Sequence, residues 1–479
     1  MDKSLTFNEQ RKPWLYLLRG RRKPPFASLK RNLLYAPGVA GAILKSTEID
    51  VLIIEQPIGF TVQDDEHAVS ILDELKSWLI TKEPVPLTFD DEPGRTYFAV
   101  VQNTLDDYEK MVSIRKGTIQ FLCLDPFSYG EEISATFPSD AVTITNNGTE
   151  EADPIFEFEV LEPVTYLTVV SGEEYMLIGK PVPLGTAPAE ERTRVFWSEA
   201  DTLVGWSTPS SVENGIVSGT MSTDGYFFSP ADYGAAQPNW HGPARKASLS
   251  ETIQDFTLEV VLDSVLNHIT HVGRIEVALL DANNVQVGKI MMWRPSVGTE
   301  ENFAVQMAGN QSESHKIIDE RGDKPSTWKE FRNGILRLTR IDNKWEAYLA
   351  VRDRDTGKHT RARYKAYLDV DRKYMNRIAQ VQVYIAKSPQ GPAMYMRVDD
   401  IKVYRWNTNL ENQIPYIAHQ GDIITLDHKN DEILINGEDR TDLKAFGANY
   451  FKLKPGENQV VIDPSDSFQT SAKYMERYR

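Results

Sequence analysis

Carboxylates at strand spacing are the first residues of this sequence that could carry out chemistry. Glycosidases use two carboxyl groups beside the scissile bond, and β-sandwich glucanases carry theirs on one strand in the pattern Glu-x-Asp-x-Glu. That pattern is absent here. Glu259 and Asp263 lie four residues apart in a strand-like run, with no further acid between them. We therefore predict that both are exposed, solvated acids and that the protein is not an enzyme.

Other common catalytic signatures are also missing from the sequence. It has no glycine-rich phosphate loop with its lysine, no His-Glu-x-x-His, no nucleophile elbow, and a single cysteine, Cys123. His268 and His271 are three residues apart, which would place them on opposite faces of a strand, and no set of other ligands accompanies them. We expect two surface histidines and no cofactor.

Four acids offer one possible metal site. Asp399 and Asp400 lie near the end of the central region, whereas Glu199 and Asp201 lie near its beginning. If the strands that carry them pair, their oxygens could together hold a calcium ion, which prefers several oxygen ligands. The alternative is a row of solvated acids at a sheet edge. A structural calcium is thus the one metal site that the sequence suggests.

Aromatic residues with polar or glycine neighbours are candidates for stacking on sugar rings, whose C–H faces pack against aromatic planes. The candidates, including one adjacent histidine, are Trp206, Tyr226, Phe228, Tyr233, Trp240, His241 and Trp293. Most aromatic side chains of a folded protein lie in its core. Trp240 is the strongest candidate, because the segment from Gln237 to Pro243 has the composition of an exposed, irregular loop.

The composition is that of a folded protein made in a reducing compartment. The chain has 479 residues, of which 41% are hydrophobic and 25% charged, and this length predicts about two to four domains. A single cysteine cannot form an internal disulfide, and the first residues lack a signal-peptide pattern. No stretch approaches the roughly 18 apolar residues that a membrane-spanning helix needs. We expect assembly in the cytoplasm and no membrane insertion.

The net charge of −16 argues against a nucleic-acid partner, because an acidic surface repels phosphates. One segment is an exception, since the residues from Arg11 to Arg31 include Lys and Arg but no acid. This segment could contact phosphates or an acidic partner. The simpler interpretation, which we favour, is a solvated hairpin loop around Lys23-Pro24-Pro25.

Strand signals dominate the chain, so the predicted fold class is mainly β. Short runs of Val, Ile, Thr, Tyr and Phe recur between turn-forming residues, as in Ile49–Ile54, Tyr97–Gln102 and Thr118–Leu124. The run from Pro86 to Val101 predicts a strand, a turn at Asp90-Asp91-Glu92-Pro93-Gly94 and a second strand.

One helix is predicted at His67–Leu79. Val69, Leu72, Leu75 and Leu79 recur there at helical spacing, behind an acidic start that suits the positive end of a helix. Two prolines follow and end the helix.

The chain divides into a first domain, a split domain and an insertion. The first domain spans residues 1–134. Residues 135–182 are too few for a core of their own, so we predict that they share one β-sandwich with residues 409–479. The strands predicted in that second part are Asp422–Asp427, Glu432–Asn436, Asn449–Leu453 and Gln459–Asp463. Residues 183–408 then form an inserted, jelly-roll-like β-sandwich whose first and last strands lie side by side.

Several stretches resemble the siphophage distal tail protein family. They are the run EPVPLTFDDEPGRTYFAV from Glu83 to Val100, the strand and turn from Gly117 to Phe127, and the tail segments Gly421–Asp427, Ile433–Gly437 and Phe451–Asn458. The tail segments are similar to the end of that family's galectin-like domain. Together the similar regions cover about residues 5–179 and 413–463.

The resemblance implies a structural virion protein at the tail tip. Its N-terminal belt domain would form a hexameric ring that joins the tail tube to the hub or baseplate, where the hub protein carries a lysin or fibre. The insertion resembles carbohydrate-binding modules of extended family members, with Phe196–Trp206 and Val398–Ile401 in paired first and last strands. Host adsorption through a cell-wall saccharide is therefore expected, and a tail-associated cell-wall glycan hydrolase is the alternative.

Overall fold

The computed structural model describes residues 4–35, 37–38, 40–102, 109–110, 114–183, 185–298, 301–322, 327–407 and 413–479. Within these ranges the regular secondary structure consists of β-strands, with one α-helix and one short 3₁₀-helix. The mainly β fold class predicted from the sequence is therefore confirmed. None of the described helices has the length and apolar character needed to cross a membrane.

The first part of the chain combines strands of a large sheet, a separate two-stranded hairpin and one helix. Its elements are β1 (Leu5–Phe7), β2 (Leu15–Leu17), β3 (Leu29–Leu34), β4 (Ile43–Ile49), β5 (Leu52–Thr61), α1 (Asp65–Leu79), β6 (Val85–Phe89), β7 (Thr96–Val101), β8 (Glu109–Lys110), β9 (Ile114–Cys123) and β10 (Ser128–Thr136). The core contains Phe7, Phe89 and Phe121, whose rings meet at centroid distances of 5.3–6.4 Å. The predicted turn between β6 and β7 is present, with Leu87 opposite Tyr97.

Helix α1 begins two residues before the predicted start. Asp64 caps it, because its Oδ1 accepts a hydrogen bond from the His67 N–H at 2.7 Å. The buried face contains Ala68, Ile71, Leu75, Trp78 and Leu79. Val69, which the helical spacing placed on this face, is 58% exposed. The existence of the helix was thus predicted correctly and one member of its buried face was not.

Two strand predictions are wrong. The run Ile49–Ile54 is interrupted after Ile49, where the Asp50 carboxylate accepts a hydrogen bond from the N–H of Val51 at 2.8 Å and turns the chain. The run Asn449–Leu453 forms no strand and contributes a single bridge, between Leu453 and Ala152. It instead places Phe451 and Leu453 in the core as irregular chain.

The basic segment pairs largely with acids of its own domain. Its ion pairs are Arg11–Asp90, Lys12–Glu74, Arg21–Asp91, Arg21–Glu92, Arg22–Glu55, Lys23–Glu92 and Lys30–Glu48. Since these charges are matched internally, the structure argues against a phosphate-binding surface. The predicted hairpin around Lys23-Pro24-Pro25 is not formed either, because β2 pairs with β5 and β3 pairs with β4.

Strands from both sides of the insertion share one core. The strands are β11 (Ala141–Asn146), β12 (Ile155–Val160), β13 (Tyr166–Ser171) and β14 (Glu174–Gly179) before it, and β31 (Ile423–Asp427), β32 (Glu432–Ile435), β33 (Glu438–Asp439), β34 (Gly456–Asp463) and β35 (Phe468–Tyr478) after it, with a 3₁₀-helix at Thr441–Leu443. Strand β12 lies between β31 and β35, and β34 lies between β11 and β13. These pairings support the predicted split domain.

The central region forms a two-sheet sandwich. Its strands are β15 (Arg192–Ser198), β16 (Ile216–Val217), β17 (Thr220–Thr223), β18 (Phe228–Asp232), β19 (His241–Gly242), β20 (Ala244–Ile253), β21 (Phe256–Val265), β22 (Gly273–Leu280), β23 (Gln286–Arg294), β24 (Asn302–Gly309), β25 (Ser314–Gly322), β26 (Glu330–Ile341), β27 (Lys344–Arg352), β28 (His359–Leu368), β29 (Ile378–Ala386) and β30 (Tyr395–Trp406). Leu184 and the predicted boundary at residues 408 and 409 lie outside the described residues.

One face of each sheet builds the core of this sandwich. An eight-stranded sheet contains β21, β26, β27, β28 and β30, and a six-stranded sheet has the order β20-β29-β22-β23-β24-β25. Buried aliphatic side chains of both sheets, with Trp328 and Trp345, fill the space between them. The first strand pairs with the last as predicted, with Ser198 opposite Ile401.

The insertion is held against the second half of the split domain by charged groups. Arg337 lies between two acids: its Nη2 is 2.5 Å from Glu438 Oε2 and its Nε is 3.1 Å from Glu259 Oε2. Lys358 Nζ lies 2.6 Å from Glu432 Oε1. The contact therefore consists of charge-assisted pairs between two compact units.

The prediction that Glu259 and Asp263 are solvated acids is wrong. Glu259 pairs with Arg337 as described, and Asp263 is only 1% exposed. Asp263 Oδ2 lies 3.0 Å from Arg397 Nε, and its Oδ1 accepts a hydrogen bond from the Asn333 N–H at 2.6 Å. A buried carboxylate needs such partners, and both partners come from other strands, so spacing within β21 did not show them.

Two glycines provide a test of the contact between the units. Gly437 and Gly421 both have positive φ, but a Cβ at Gly437 would lie 2.0 Å from Gly357 O of the insertion, whereas a Cβ at Gly421 would meet nothing within 4 Å. We expect Gly421→Ala to cost about 1–2 kcal/mol from the left-handed backbone. Gly437→Ala should cost roughly 1–3 kcal/mol more, because the two backbones must separate.

The measurement is thermal unfolding of both variants, with limited proteolysis of the segments that join the units. Faster cleavage is expected in Gly437→Ala only. Equal losses of stability and equal cleavage rates in the two variants would contradict the contact.

Candidate functional site

The outer face of the six-stranded sheet, meaning the face turned away from the sandwich core, carries an unusual set of polar side chains. Alternation along β22 sends Ile275, Val277 and Leu279 into the core and the residues between them outward. Two of these outward residues are Arg274 and Glu276. The neighbouring strand β23 contributes Lys289 and Trp293 to the same face.

Arg274, Glu276 and Lys289 form a buried charged trio. They are 5%, 2% and 5% exposed. Glu276 Oε2 lies 3.1 Å from Lys289 Nζ, and Glu276 Oε1 lies 3.5 Å from Arg274 Nη2. Burial acts to raise the pKa of Glu276, but the two cations outweigh it and hold that pKa below its usual range. The carboxylate is therefore ionised at neutral pH and unavailable as a proton donor.

The segment from Pro209 to Val217 covers part of this outer face. Arg274 Nη1 donates to Asn214 O at 3.1 Å and its Nη2 donates to Glu213 O at 3.0 Å. Gly215 lies on the Tyr384 ring, where an added Cβ would be 2.4 Å from the hydroxyl oxygen. Only glycine allows this approach, so the sequence fixes how the segment crosses the sheet.

A groove of about 190 Å³ remains beside this segment, lined by Ser210, Glu213, Lys246, Asn284, Gln286 and Gln382 among others. The Glu213 carboxylate lines this groove and accepts a hydrogen bond from the Gln311 N–H at 3.0 Å. Burial raises the pKa of Glu213, and the nearby Glu276 charge adds to this effect. The groove thus presents amide, hydroxyl and carboxyl groups to solvent.

Trp240 and Trp293 meet at one end of the outer face. Their ring centroids are 6.2 Å apart at an interplanar angle of 61°, and the Arg274 guanidinium carbon lies 5.7 Å from the Trp240 ring. Both indoles are half-buried. Trp240 packs on Ala244, Tyr384 and Ala386, so it is not the exposed loop residue that its sequence context predicted. The two tryptophans nevertheless place aromatic surface next to buried charge.

The remaining aromatic candidates are not part of this cluster, apart from His241. His241 is 1% exposed, and its Nδ1 lies 2.9 Å from Asn239 O, which orients the loop that carries Trp240. Trp206 packs edge-on between Phe196 and Phe228 at 5.7 and 5.2 Å, which makes it a core residue and not a stacking surface. Tyr226 is 79% exposed, next to the β17–β18 hairpin of the other sheet.

The other two aromatic candidates have different positions. Phe228 is fully buried. Tyr233 lies 5.6 Å from Lys387 Nζ.

The four acids of the predicted calcium site are not brought together. Asp400 Oδ2 lies 2.7 Å from Lys402 Nζ, and its Oδ1 accepts a hydrogen bond from Trp197 Nε1 at 2.9 Å. Asp399 lies beside Arg397 instead, and burial raises its pKa to about 6. Among the described residues, no three His, Cys, Asp or Glu side chains, Glu199 and Asp201 included, are grouped as metal ligands. Arg397 and Lys402 of β30 pair with these two aspartates instead of a metal ion.

Sequence reasoning missed the charged trio, although a signal was present. The run Arg274-Ile-Glu276-Val alternates charged with aliphatic residues, which is typical of a strand with one polar face. What the run could not show is that Lys289 lies opposite Ala278 on the next strand and so reaches Glu276.

Comparison with known proteins gives matches at both ends of the chain. Residues 10–123 match the family described as phage tail protein RIFT-related domain, and residues 393–478 match the siphovirus-type tail component, C-terminal domain. Both families are components of phage tails. The chain is 34% identical over 70 residues to the distal tail protein of Bacillus phage SPP1, a match that covers 15% of this chain and 27% of that relative. Both ends of the chain are thus similar to components of siphophage tails, which supports the resemblance to the siphophage distal tail protein family.

Solved structures with a similar course of the chain include two phage proteins and an enzyme. The SPP1 Dit protein matches with a TM-score of 0.40 and 10% identity, over 100% of this chain and 99% of that one. The CBM2 module of the evolved Dit of Lactobacillus casei BL23 phage J-1 matches with a TM-score of 0.40 and 13% identity, over 46% and 98%. The endo-β-1,3(4)-glucanase SCLam matches with a TM-score of 0.32 and 14% identity, over 51% and 98%. Because these TM-scores are low, the three structures are similar to this chain but support no statement about its function.

Proposed function

We propose that this protein forms a homo-hexameric ring at the tail tip, between the tail tube and the hub or baseplate protein, and that its insertion binds a saccharide of the host cell wall. The ring is supported above all by a hairpin of the first domain, and the saccharide by the outer face of the six-stranded sheet. Assembly in the host cytoplasm before incorporation into the virion is part of the same proposal.

The hairpin of β3 and β4 exposes more apolar surface than a solvated loop would. Within the described part of the chain these strands pair only with each other. Leu33, Leu34, Tyr35, Ile43 and Leu44 at its tip are 46–70% exposed. Leu33 lies opposite Leu44 and Leu34 opposite Ile43, so both faces of the tip are apolar. A tip of this kind is stable in water when another surface covers it.

A second copy of this chain is the occupant that we propose for the hairpin tip. The hairpin belongs to the region that matches the phage tail family, residues 10–123. A tube-to-hub adaptor needs a heterologous interface that repeats around a closed ring. One protruding arm on each subunit, packed on the next subunit, satisfies that requirement.

Substitutions at the hairpin tip test the ring. Leu33→Asp with Ile43→Asp should leave the monomer folded, because both side chains are exposed, and should abolish the oligomer, because a charge would be buried against the neighbouring subunit. Light scattering after size exclusion and negative-stain images give the subunit number and symmetry. The control is Val370→Asp, which changes a 74% exposed side chain of the insertion.

The control should assemble like the unmodified protein. A ring that persists in the doubly substituted hairpin would contradict the assignment of the hairpin. A protein that stays monomeric without any substitution would contradict the ring itself.

The outer face has the composition of a saccharide-binding surface. Such sites combine aromatic planes with a few fixed polar groups. Here Trp240 and Trp293 supply the aromatic surface, and Arg274, Glu276 and Lys289 supply the charged groups beside it.

One observation supports the alternative that the protein is a glycan hydrolase. Glu213 and Glu276 have pKa values shifted in opposite directions, which is the arrangement of an acid and a base in glycosidases. However, Glu276 is already held by two cations, and the family consists of structural tail proteins. We therefore propose binding without cleavage.

Aromatic substitutions test the saccharide site. Trp293→Ala should weaken binding to a purified bacterial wall polysaccharide about fivefold or more, since an aromatic contact contributes about 1 kcal/mol beyond its buried area. Trp293→Phe should retain part of the affinity. Tyr226→Ala is the matched control, because Tyr226 is an exposed aromatic residue outside the outer face. Affinities can be measured by calorimetry against a panel of polysaccharides.

Three results would contradict the proposal. Binding that Trp293→Ala leaves unchanged would place the saccharide elsewhere. An equal loss in Tyr226→Ala would mean that the outer face has no special role. Release of reducing ends that Glu213→Gln abolishes would favour the hydrolase.

A further inference from the structure

A second cavity lies on the eight-stranded sheet of the insertion. Its lining is far more basic than the chain as a whole. It has a volume of about 510 Å³ at one end of β26, β27 and β28. Five of the residues that line it are basic and three are acidic, whereas the whole chain has a net charge of −16. The basic residues are Lys329, Arg332, Arg352, Arg354 and Arg361. We name this cavity the basic groove.

We propose that the basic groove binds a phosphodiester group of a wall polymer, as a second site distinct from the outer face of the six-stranded sheet. The proposal rests on the proposed function only in that the insertion faces the host wall. The residues of the two sites do not overlap, so each site can be tested without the other.

Arg354 and Arg332 are exposed at the mouth of the groove. Within the described ranges Arg354 forms no ion pair, and Arg332 contacts only the ring of Tyr395, at 5.8 Å. Their guanidinium groups can therefore turn toward a ligand without leaving an acid of this chain unpaired. Guanidinium forks match the paired oxygens of a phosphate.

Arg352 is positioned by neutral groups. Its Nη2 donates to Asn333 Oδ1 at 2.5 Å, and Asn333 has a left-handed backbone with φ of 48°. The Asn333 N–H is fixed in turn by Asp263 Oδ1 at 2.6 Å. Because the hydrogen-bond acceptor is an amide, the hydrogen bond orients the guanidinium while leaving its charge uncancelled.

Arg361 occupies a strained bulge in the wall of the groove. The register of β27 and β28 shifts between Leu349 and Val351, and Arg361 has φ of 55°, which costs a residue with a Cβ free energy. Its Nη1 donates to Thr327 O at 2.8 Å. Bulges of this kind redirect a side chain, and here the redirected side chain is one more cation of the groove.

Among the described residues, three acids line the groove beside five cations. Asp353 Oδ1 accepts hydrogen bonds from the N–H groups of Asp355 and Thr356 at 3.1 and 2.9 Å and from the Thr356 hydroxyl at 2.9 Å. These bonds lower the pKa of Asp353. They also direct that oxygen toward the loop formed by Asp353 to Thr356. The loop is thereby ordered, and it holds Arg354 at the mouth of the groove.

A phosphodiester fits the groove better than other anions. A single carboxylate presents two coplanar oxygens, which one guanidinium already satisfies, whereas a tetrahedral phosphate accepts hydrogen bonds from several directions. Duplex DNA needs a broad basic surface, which a chain of net charge −16 does not offer. A polymer with one phosphate per repeat would occupy the groove with one unit and continue into solvent.

The test uses the full chain with poly(glycerol phosphate) as the probe. The unmodified protein should bind it with an affinity that falls as salt rises, and Arg354→Gln and Arg332→Gln should each weaken binding about tenfold, the order of one charge-assisted hydrogen-bond pair. Arg372→Gln is the matched control, since Arg372 is an exposed arginine of the same insertion that pairs with Asp342 outside the groove. It should bind like the unmodified protein, and so should Trp293→Ala.

Polygalacturonate and duplex DNA serve as comparison polyanions and should bind at least tenfold more weakly than poly(glycerol phosphate). Equal binding of either one, equally sensitive to Arg354→Gln, would overturn the phosphodiester assignment. Absence of binding to poly(glycerol phosphate), or an equal loss in Arg372→Gln, would overturn the site. Loss of this binding in Trp293→Ala would show that the outer face, and not the basic groove, holds the polymer.

Discussion

Strand β12 pairs with two strands that each follow it by more than 250 residues, and the arrangement of the whole molecule depends on this pairing. Phe156 and Phe158 of β12 lie opposite Ala472 and Thr470 of β35 on one side, and opposite Leu426 and Ile424 of β31 on the other. Neither half of the split domain can bury these phenylalanines alone. The insertion must therefore leave and return at nearly the same place.

The backbone at that place shows how the constraint is met. The Ala189 N–H donates to Ile414 O at 2.9 Å, and the Asn407 N–H donates to Glu191 O at 2.8 Å, so the chain that leaves the split domain runs beside the chain that returns. Strands β15 and β30 continue this pairing into the insertion. Arg337 and Lys358 then fix the insertion against Glu438 and Glu432. The outer surface of the insertion can thus vary without altering the first domain or the split domain.

Much of the fold could be predicted from sequence because local signals and packing agree. The β6–β7 hairpin and the helix are examples, since turn residues and a capping acid stand where the hydrophobic pattern changes. Strand β35 was missed because its inward positions include Thr470, Ala472 and Glu476, which do not form an apolar stripe. Its place between β10 and β12 is decided by tertiary pairing.

The candidate sites were harder to predict, because each is assembled from distant strands. Trp240 and Trp293 were both candidates from sequence, but nothing in the sequence showed that they meet, because their contact depends on Tyr384 and on the loop that His241 orients. The predicted calcium acids failed for a different reason, since Lys402 and Arg397 lie two residues from Asp400 and Asp399 on the same strand and neutralise them. Spacing along one strand shows which residues share a face, but not which partners arrive from the next.

The central claim is that one chain combines a ring-forming part with a separable, wall-binding insertion. The most direct measurement compares the full chain with a shortened chain in which Gly179 is joined to Gln413 by a short flexible linker, using negative-stain images and binding to wall polysaccharide. The account predicts closed six-fold rings from both chains and polysaccharide binding by the full chain alone. A shortened chain that forms no ring, or one that binds polysaccharide as well as the full chain, would contradict it.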